Sequence, residues 1–482
     1  MKKIGRITAG IAALSLMTAF SGCGEASNAP AETSVEITTT TAATVERNTE
    51  TLNEEAQANI DNTSDKLIDM ELENKTVKWF AHYDPFNPSS SGNSKSVSLS
   101  YFESKYGGSV KWYPTTWENR YADLSTYVLG GEGIDFFDCD TNALPSGIIS
   151  GMFQPVDDYI DLNSELWSTV SKGMDVHKYN GKHYELVNSI TAESVLFYSF
   201  STIKENGFDD PAELWEKGEW NWDSFKKMLM AYVDPEKEHY GLDSWYNEKA
   251  LFLSAGVPLV SSDNSGRLVS NLDNETVKKA MDFQYSLGIS GLAMNLGDYN
   301  WTPQVENMGS GKELFYIVGS WDFQSAPEIW STKMTPSDVR MVPVPSPAGS
   351  TQYVGTTLGG WCLCKGADNP VGVARFAECA LLANIDEEAI AISDQKYRDD
   401  FGWTDTMIDS LKKINAIAAE NPVVDLAAGI SSDFASVTYD GGDFVGLKAA
   451  LHGTAWDETK STISEPITNM LNDANRDIAA AQ

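Results

Sequence analysis

The sequence predicts an α/β protein of two lobes, in which a parallel sheet is covered by helices. Between residues 76 and 140, β-forming runs alternate with amphipathic helical runs in a βαβαβ order, the pattern of parallel strands joined by crossover helices. Residues 66–482 are too many for one typical domain, so two cores are expected. Near residue 193 the texture changes from short strands to a Trp-rich helical stretch, which marks the start of a second lobe.

The chain opens with Lys2, Lys3 and Arg6, followed by an apolar run over residues 7–20 that is too short for a permanent membrane span. This reads as an export signal over residues 1–22. The segment Phe20, Ser21, Gly22, Cys23 resembles the lipobox of bacterial lipoproteins, with Phe20 where Leu is usual. That resemblance implies a diacylglycerol on Cys23, which would hold the mature chain at the outer face of a membrane. Residues 23–65 lack any aromatic side chain after the anchor and contain the run TTTTAAT. Such a composition cannot offset its own ordering entropy, so a flexible linker is expected, with some nascent helix near TLNEEAQANI.

In the body, TVKWFAHYD (76–84) is a strand running into a Ser-rich loop, and KSVSLSYFESKYGG is a helix with Val97, Tyr101, Phe102 and Tyr106 on one stripe. SVKWYP is the second strand. WENRYADLSTYVLGG is the second helix, through Tyr121, Leu124 and Val128, and GIDFFDCD the third strand. In such a sheet the ligand crevice lies beyond the carboxyl ends of the strands, where Tyr83, Asp84, Asp138 and Asp140 fall. YNGKHYELV reads as a hairpin about Asn180 and Gly181. The helix WNWDSFKKMLMAYV carries a cap at Asn221, and NETVKKAMDFQYSLGI forms a further helix. GKELFYIVGSWDF is a buried strand ending at Trp321, and VRMVPVPSP a Pro-punctuated strand suited to crossing between lobes. From GTTLGGWCLCKG the strand-plus-helix texture returns, with PVGVARFAECALLANI as the helix; two C-terminal helices part near Gly453.

With 69 Asp and Glu against 35 Lys and Arg, the formal charge is −34, and it becomes −37 once three signal cations leave (−34 − 3). So acidic a body is a poor partner for nucleic acid or an anionic membrane surface. Cys139, Cys362, Cys364 and Cys379 follow no disulfide framework, zinc pattern or CxxC, and five scattered His complete no metal motif, so neither metal nor cofactor is expected. No Gly-x-Ser-x-Gly, P-loop or His-Glu-x-x-His is present.

Four segments in this order resemble the family 1 extracellular solute-binding proteins of bacterial ABC importers, the maltose-binding-protein-like group. They are YNGKHYELV, VLFYSFSTIKENGFDDPAELW, GKELFYIVGSWDF, and VPVPSPAG followed by GGWCLCKGADNPVGVARFAECAL. Departures are Tyr198, Ser199 in place of the family's Tyr-Asn and a long Ser-rich loop from 84 to 95. The resemblance implies a type II periplasmic-binding-protein-like fold: two lobes, each a mainly parallel sheet flanked by helices, joined by hinge strands. It implies lobe 1 over 66–192 and 356–410, lobe 2 over 193–355, and C-terminal helices 411–482 mainly in lobe 2. It also implies a monomer without catalytic activity, which captures a solute and presents it to permease subunits.

A pyranose offers an apolar face and a rim of hydroxyls, so its site needs aromatic platforms beside carboxylates. Candidate platforms are Tyr83, Trp117, Trp245, Trp321 and Trp361; candidate acceptors are Asp84, Glu118, Asp138 and Asp140. Phe444, in YDGGDFVGL, matches a stacking aromatic of the family. Core packing is the competing role for any one Trp, above all Trp215, Trp220 and Trp222. An oligosaccharide is the expected ligand. The alternatives are a polyamine, a phosphate ester or a peptide on the same fold, or a secreted polysaccharide-cleaving enzyme with a paired acid and base.

Overall fold

The computed structural model describes residues 54–85, 96–242, 246–293, 305–324, 334–438 and 448–481. Cys23, the export signal, Trp245, Phe444 and most of the Ser-rich loop lie outside the described residues.

Among the described residues, the two larger sheets are built from β1 (Thr76–Ala81), β2 (Ser109–Pro114), β3 (Phe136–Asp138), β4 (Leu186–Ala192), β5 (Val195–Ser199), β6 (Tyr240–Leu242), β7 (Glu313–Val318), β8 (Val339–Val342) and β9 (Thr356–Leu363). The first sheet has the order β2-β1-β3-β9-β4, and the second β8-β5-β7-β6. The main helices are α1 (Glu54–Thr63), α2 (Val97–Tyr106), α3 (Arg120–Gly130), α4 (Trp222–Tyr232), α5 (Glu275–Gly288), α6 (Pro370–Ile385), α7 (Glu387–Phe401), α8 (Asp405–Glu420) and α9 (Trp456–Ala480).

The βαβαβ opening is as expected: β1 pairs in parallel with both β2 and β3, with α2 and α3 as the connections. Ser96 caps α2 by accepting the Leu99 N–H, and Gly107 ends it with a left-handed φ of 60°. Asn221 caps α4 in a capping box with Ser224. In the YNGK hairpin, Asn180 and Gly181 have φ of 52° and 77°, the type I′ condition for a two-residue turn.

Three expectations are corrected. The sheets are mixed, not mainly parallel, because β9 runs antiparallel to β3 and β4, while β5 runs antiparallel to β7 and β8. Strands that return after a crossing enter from the opposite end, and only antiparallel pairing accepts them. The linker does not extend to residue 65, since α1 packs on α2 and α7 with Ile60 fully buried. Finally, residues Phe252 to Met281, placed by sequence in the second lobe, share one core with Phe80 and Phe137 of the first sheet and with Trp456 and Ile467 of α9.

Alternation along β1 explains how the two faces of the first sheet are filled. Phe80 points into that shared core, while Val77, Trp79 and Ala81 enter a second one with Phe136, Trp361 and Phe376. Among the described residues, no helix is long and apolar enough to cross a membrane.

Candidate functional site

The carboxyl ends of β1 and β3 adjoin, as the parallel register requires, and the side chains there converge on Asp138. One of its carboxylate oxygens, Oδ1, accepts the indole N–H of Trp79 and of Trp361, each at 3.1 Å, and the Tyr83 hydroxyl at 3.5 Å. The antiparallel register sets Trp361 directly opposite Asp138, and Trp79 comes from the neighbouring strand. The second oxygen, Oδ2, is buried and has no hydrogen-bond partner. Burial pushes the Asp138 carboxyl up to about 7, against the pull of the two indole N–H groups. A carboxylate held by one oxygen, with the other free, is a ready acceptor for a hydroxyl.

Beside it runs an aromatic rim. Tyr83 meets the edge of Trp79 at 6.1 Å, His82 lies 5.1 Å from Tyr83, and Trp117 lies 4.9 Å from His82. Tyr83 and Trp117 are 38% and 48% exposed, so aromatic surface faces solvent at the carboxyl ends of the strands. The Arg120 guanidinium stacks on Trp117 at 3.5 Å and donates to its carbonyl, and its Nε donates to Asp140 Oδ2 at 2.7 Å. Asp140 also accepts the Tyr121 hydroxyl and the Asn142 N–H.

The structure therefore divides the predicted residues. Tyr83, Trp117 and Asp138 come together with solvent access or a free acceptor. Asp140 is engaged by Arg120, Tyr121 and the Asn142 N–H, and so holds Arg120 against Trp117. Trp361 is only 7% exposed, stacked on Phe376 at 5.0 Å, and presents its N–H rather than its face. Asp84 is half-buried at the start of the loop, and Glu118 is exposed beside Trp117. Sequence reasoning missed Trp79, His82 and Arg120; period-two alternation from Trp79 to Tyr83 was the available signal for the first.

On the second sheet, Trp321 is 56% exposed in the turn after β7, with Tyr246 6.2 Å away in an edge contact. Gly319 makes that turn possible, because a Cβ there would stand 2.1 Å from the Trp321 indole nitrogen. Asp322 accepts the Tyr316 hydroxyl at 3.2 Å, and burial raises its carboxyl.

Between the sheets three segments run side by side. The Glu193 N–H donates to the Gly355 carbonyl at 2.8 Å, and Thr356 and Val423 exchange bonds of 2.9 and 3.0 Å. Lys249 pairs with Glu193 at 2.5 Å across this junction. Short bonded segments of this kind can twist while both sheets remain intact.

A family model described as bacterial extracellular solute-binding protein matches residues 99–398, more than half of the chain. Among solved structures, an ABC substrate-binding protein of Listeria monocytogenes in complex with cycloalternan is similar at a TM-score of 0.56 and 15% identity, over 81% of this chain and 100% of that one. The GacH receptor of Streptomyces glaucescens, solved unliganded and with acarbose, gives 0.58 and 16% over 83% and 100%. The galacto-N-biose/lacto-N-biose I-binding protein of Bifidobacterium longum, with lacto-N-biose, gives 0.56 and 14% over 82% and 97%. These likenesses show the two-lobed fold. No curated protein sequence matches.

Proposed function

The chain belongs to the bacterial extracellular solute-binding protein family, and from that premise we propose that it captures a carbohydrate, an oligosaccharide by preference, and delivers it to an ABC import permease. Cys23 carries the lipid that keeps it at the outer face of the cell membrane. The two sheets belong to the two lobes, residues 252–281 and α9 packing in the core of the first sheet, with closure at the junction of residues 193, 355 and 423.

The observation that carries this reading is the pairing of a free, buried carboxylate oxygen on Asp138 with the aromatic rim of Tyr83 and Trp117. Aromatic faces take the C–H side of a pyranose, and Asp138 takes a hydroxyl. The Tyr83 hydroxyl makes the longest of the three bonds to Asp138, so a sugar hydroxyl can replace it without disturbing the two indole donors. Trp321 supplies a platform from the second sheet. The structural relatives solved with cycloalternan, acarbose and lacto-N-biose agree with a carbohydrate ligand.

A thermal-shift screen of the full chain against mono- and oligosaccharides, with polyamines and short peptides alongside, tests the reading. A ligand at a hundred times its Kd adds about 2.7 kcal/mol, or about 3 °C for a body of this size. A shift confined to one glycan class, with the glycan recovered intact, is the expected result. A shift with a polyamine or peptide alone overturns the carbohydrate assignment, and a cleaved glycan makes the protein an enzyme.

Trp321→Ala is expected to weaken that glycan about tenfold, the scale of a lost stacking partner. Its melting temperature should stay within about a degree of the parent, because a side chain this exposed contributes little to the core. Isothermal titration and a thermal melt of the same sample check both parts.

A further inference from the structure

The hairpin Lys178–Tyr179 and Lys182–His183 closes so that the residues at its base meet. His177, ending a short turn, and Glu185, just before β4, lie with Nδ1 and Oε2 2.5 Å apart. Cys139, immediately after β3, joins them: one donor atom from each of Cys139, His177 and Glu185 lies within 4.8 Å of the other two. Cys139 shares a core with Cys362 of β9. All four residues are buried.

We propose that Cys139, His177 and Glu185 form a buried site for a divalent cation of the zinc class.

The donor set selects the ion. A thiol, an imidazole and a carboxylate suit a borderline cation in four-coordinate geometry, whereas calcium and magnesium call for six or more oxygens or retained water. Around such an ion, neighbouring donors stand about 3.5 Å apart, which small side-chain rotations reach from the separations present. A second observation points to a ligand independently. Glu185 is 1% exposed, yet its Oε1 has no hydrogen-bond partner, a costly state for a buried carboxylate that a bound cation relieves. Gly360 leaves the space this oxygen occupies, since a Cβ there would stand 2.7 Å from it. The site is buried beside a core that contains Tyr179 and Cys364, so its role is structural: it fastens the hairpin base to the end of β3.

The test uses the full chain carrying Cys23→Ser, which removes the thiol that lies outside the described residues. The protein is stripped with a chelator under reducing conditions and titrated with Co(II), then with Zn(II). A thiolate-to-cobalt charge-transfer band with tetrahedral d–d bands, saturating at one ion per chain and bleached by zinc, is expected, together with a rise in melting temperature on adding zinc. Cys139→Ser and His177→Gln should each lower cobalt affinity at least about tenfold, while Cys379→Ser, a buried thiol in the other core, leaves it unchanged. Absence of the charge-transfer band in the parent chain overturns the site, whether or not the variants fold. Retention of the band in Cys139→Ser and His177→Gln, or its loss in Cys379→Ser, also overturns it.

Discussion

Above about pH 8, where a carboxyl raised to about 7 is ionised, Asp138→Asn is expected to fold normally and to bind its glycan about tenfold to a hundredfold more weakly, the range for a hydrogen bond to a charged group. The amide keeps an oxygen for the two indole N–H groups, so the anchoring bonds survive. It replaces the free Oδ2 with an NH₂ group, which cannot accept from a sugar hydroxyl. Asp138→Ala separates binding from folding. It leaves the N–H groups of the buried Trp79 and Trp361 without their acceptor and should cost about 2–4 kcal/mol of stability as well. Titration calorimetry with the glycan found by thermal shift, run beside urea denaturation, reads the two effects apart. Equal affinity in Asp138→Asn and the parent would remove Asp138 from the site.

Asp135→Ala should be the most destabilising single change in the first sheet, at about 3 kcal/mol, with ligand affinity per folded molecule unchanged. Asp135 is fully buried between β1 and the start of α6. Its Oδ2 accepts the Lys78 N–H at 2.8 Å, and its Oδ1 accepts the N–H of Asn369, the α6 cap, at 2.7 Å. Burial raises its carboxyl while those backbone donors oppose the rise. Alanine strands two buried N–H groups, each costing about 1–3 kcal/mol, and nothing nearby replaces the acceptor. Asn369 meanwhile donates to the carbonyls of Asn74 and Thr76, so the helix cap and the strand loosen together. The urea midpoint checks this; a loss under about 1 kcal/mol would show that water reaches these groups.

Local chemistry made much of this protein legible from its letters. The βαβαβ opening, the Asn180-Gly181 turn, the Asn221 cap and the break at Gly453 each depend on residues within a few positions of one another, so sequence spacing is enough to place them. The position of Tyr83 and Asp138 at the carboxyl ends of adjacent strands followed from parallel topology alone. Burial was the first thing sequence did not separate. Trp117 and Trp361 are both tryptophans near strand ends, yet one stacks on Arg120 in solvent and the other fills a core.

What tertiary structure decided was pairing across distance. Strand direction in each sheet depended on which strands return across the junction, a property of the path and not of any strand's composition. Asp138 and Asp140 look alike in FFDCD, but Arg120 and Tyr121 claim the second, while indoles 59 residues before and 223 residues after the first claim only one of its oxygens. The meeting of Cys139, His177 and Glu185 shows no motif spacing, because these residues come from a strand end and the two sides of a hairpin. Patterning along the chain sets which elements form and which faces are apolar; the free energy of packing those faces sets which polar groups meet, and that cannot be read from neighbours in sequence.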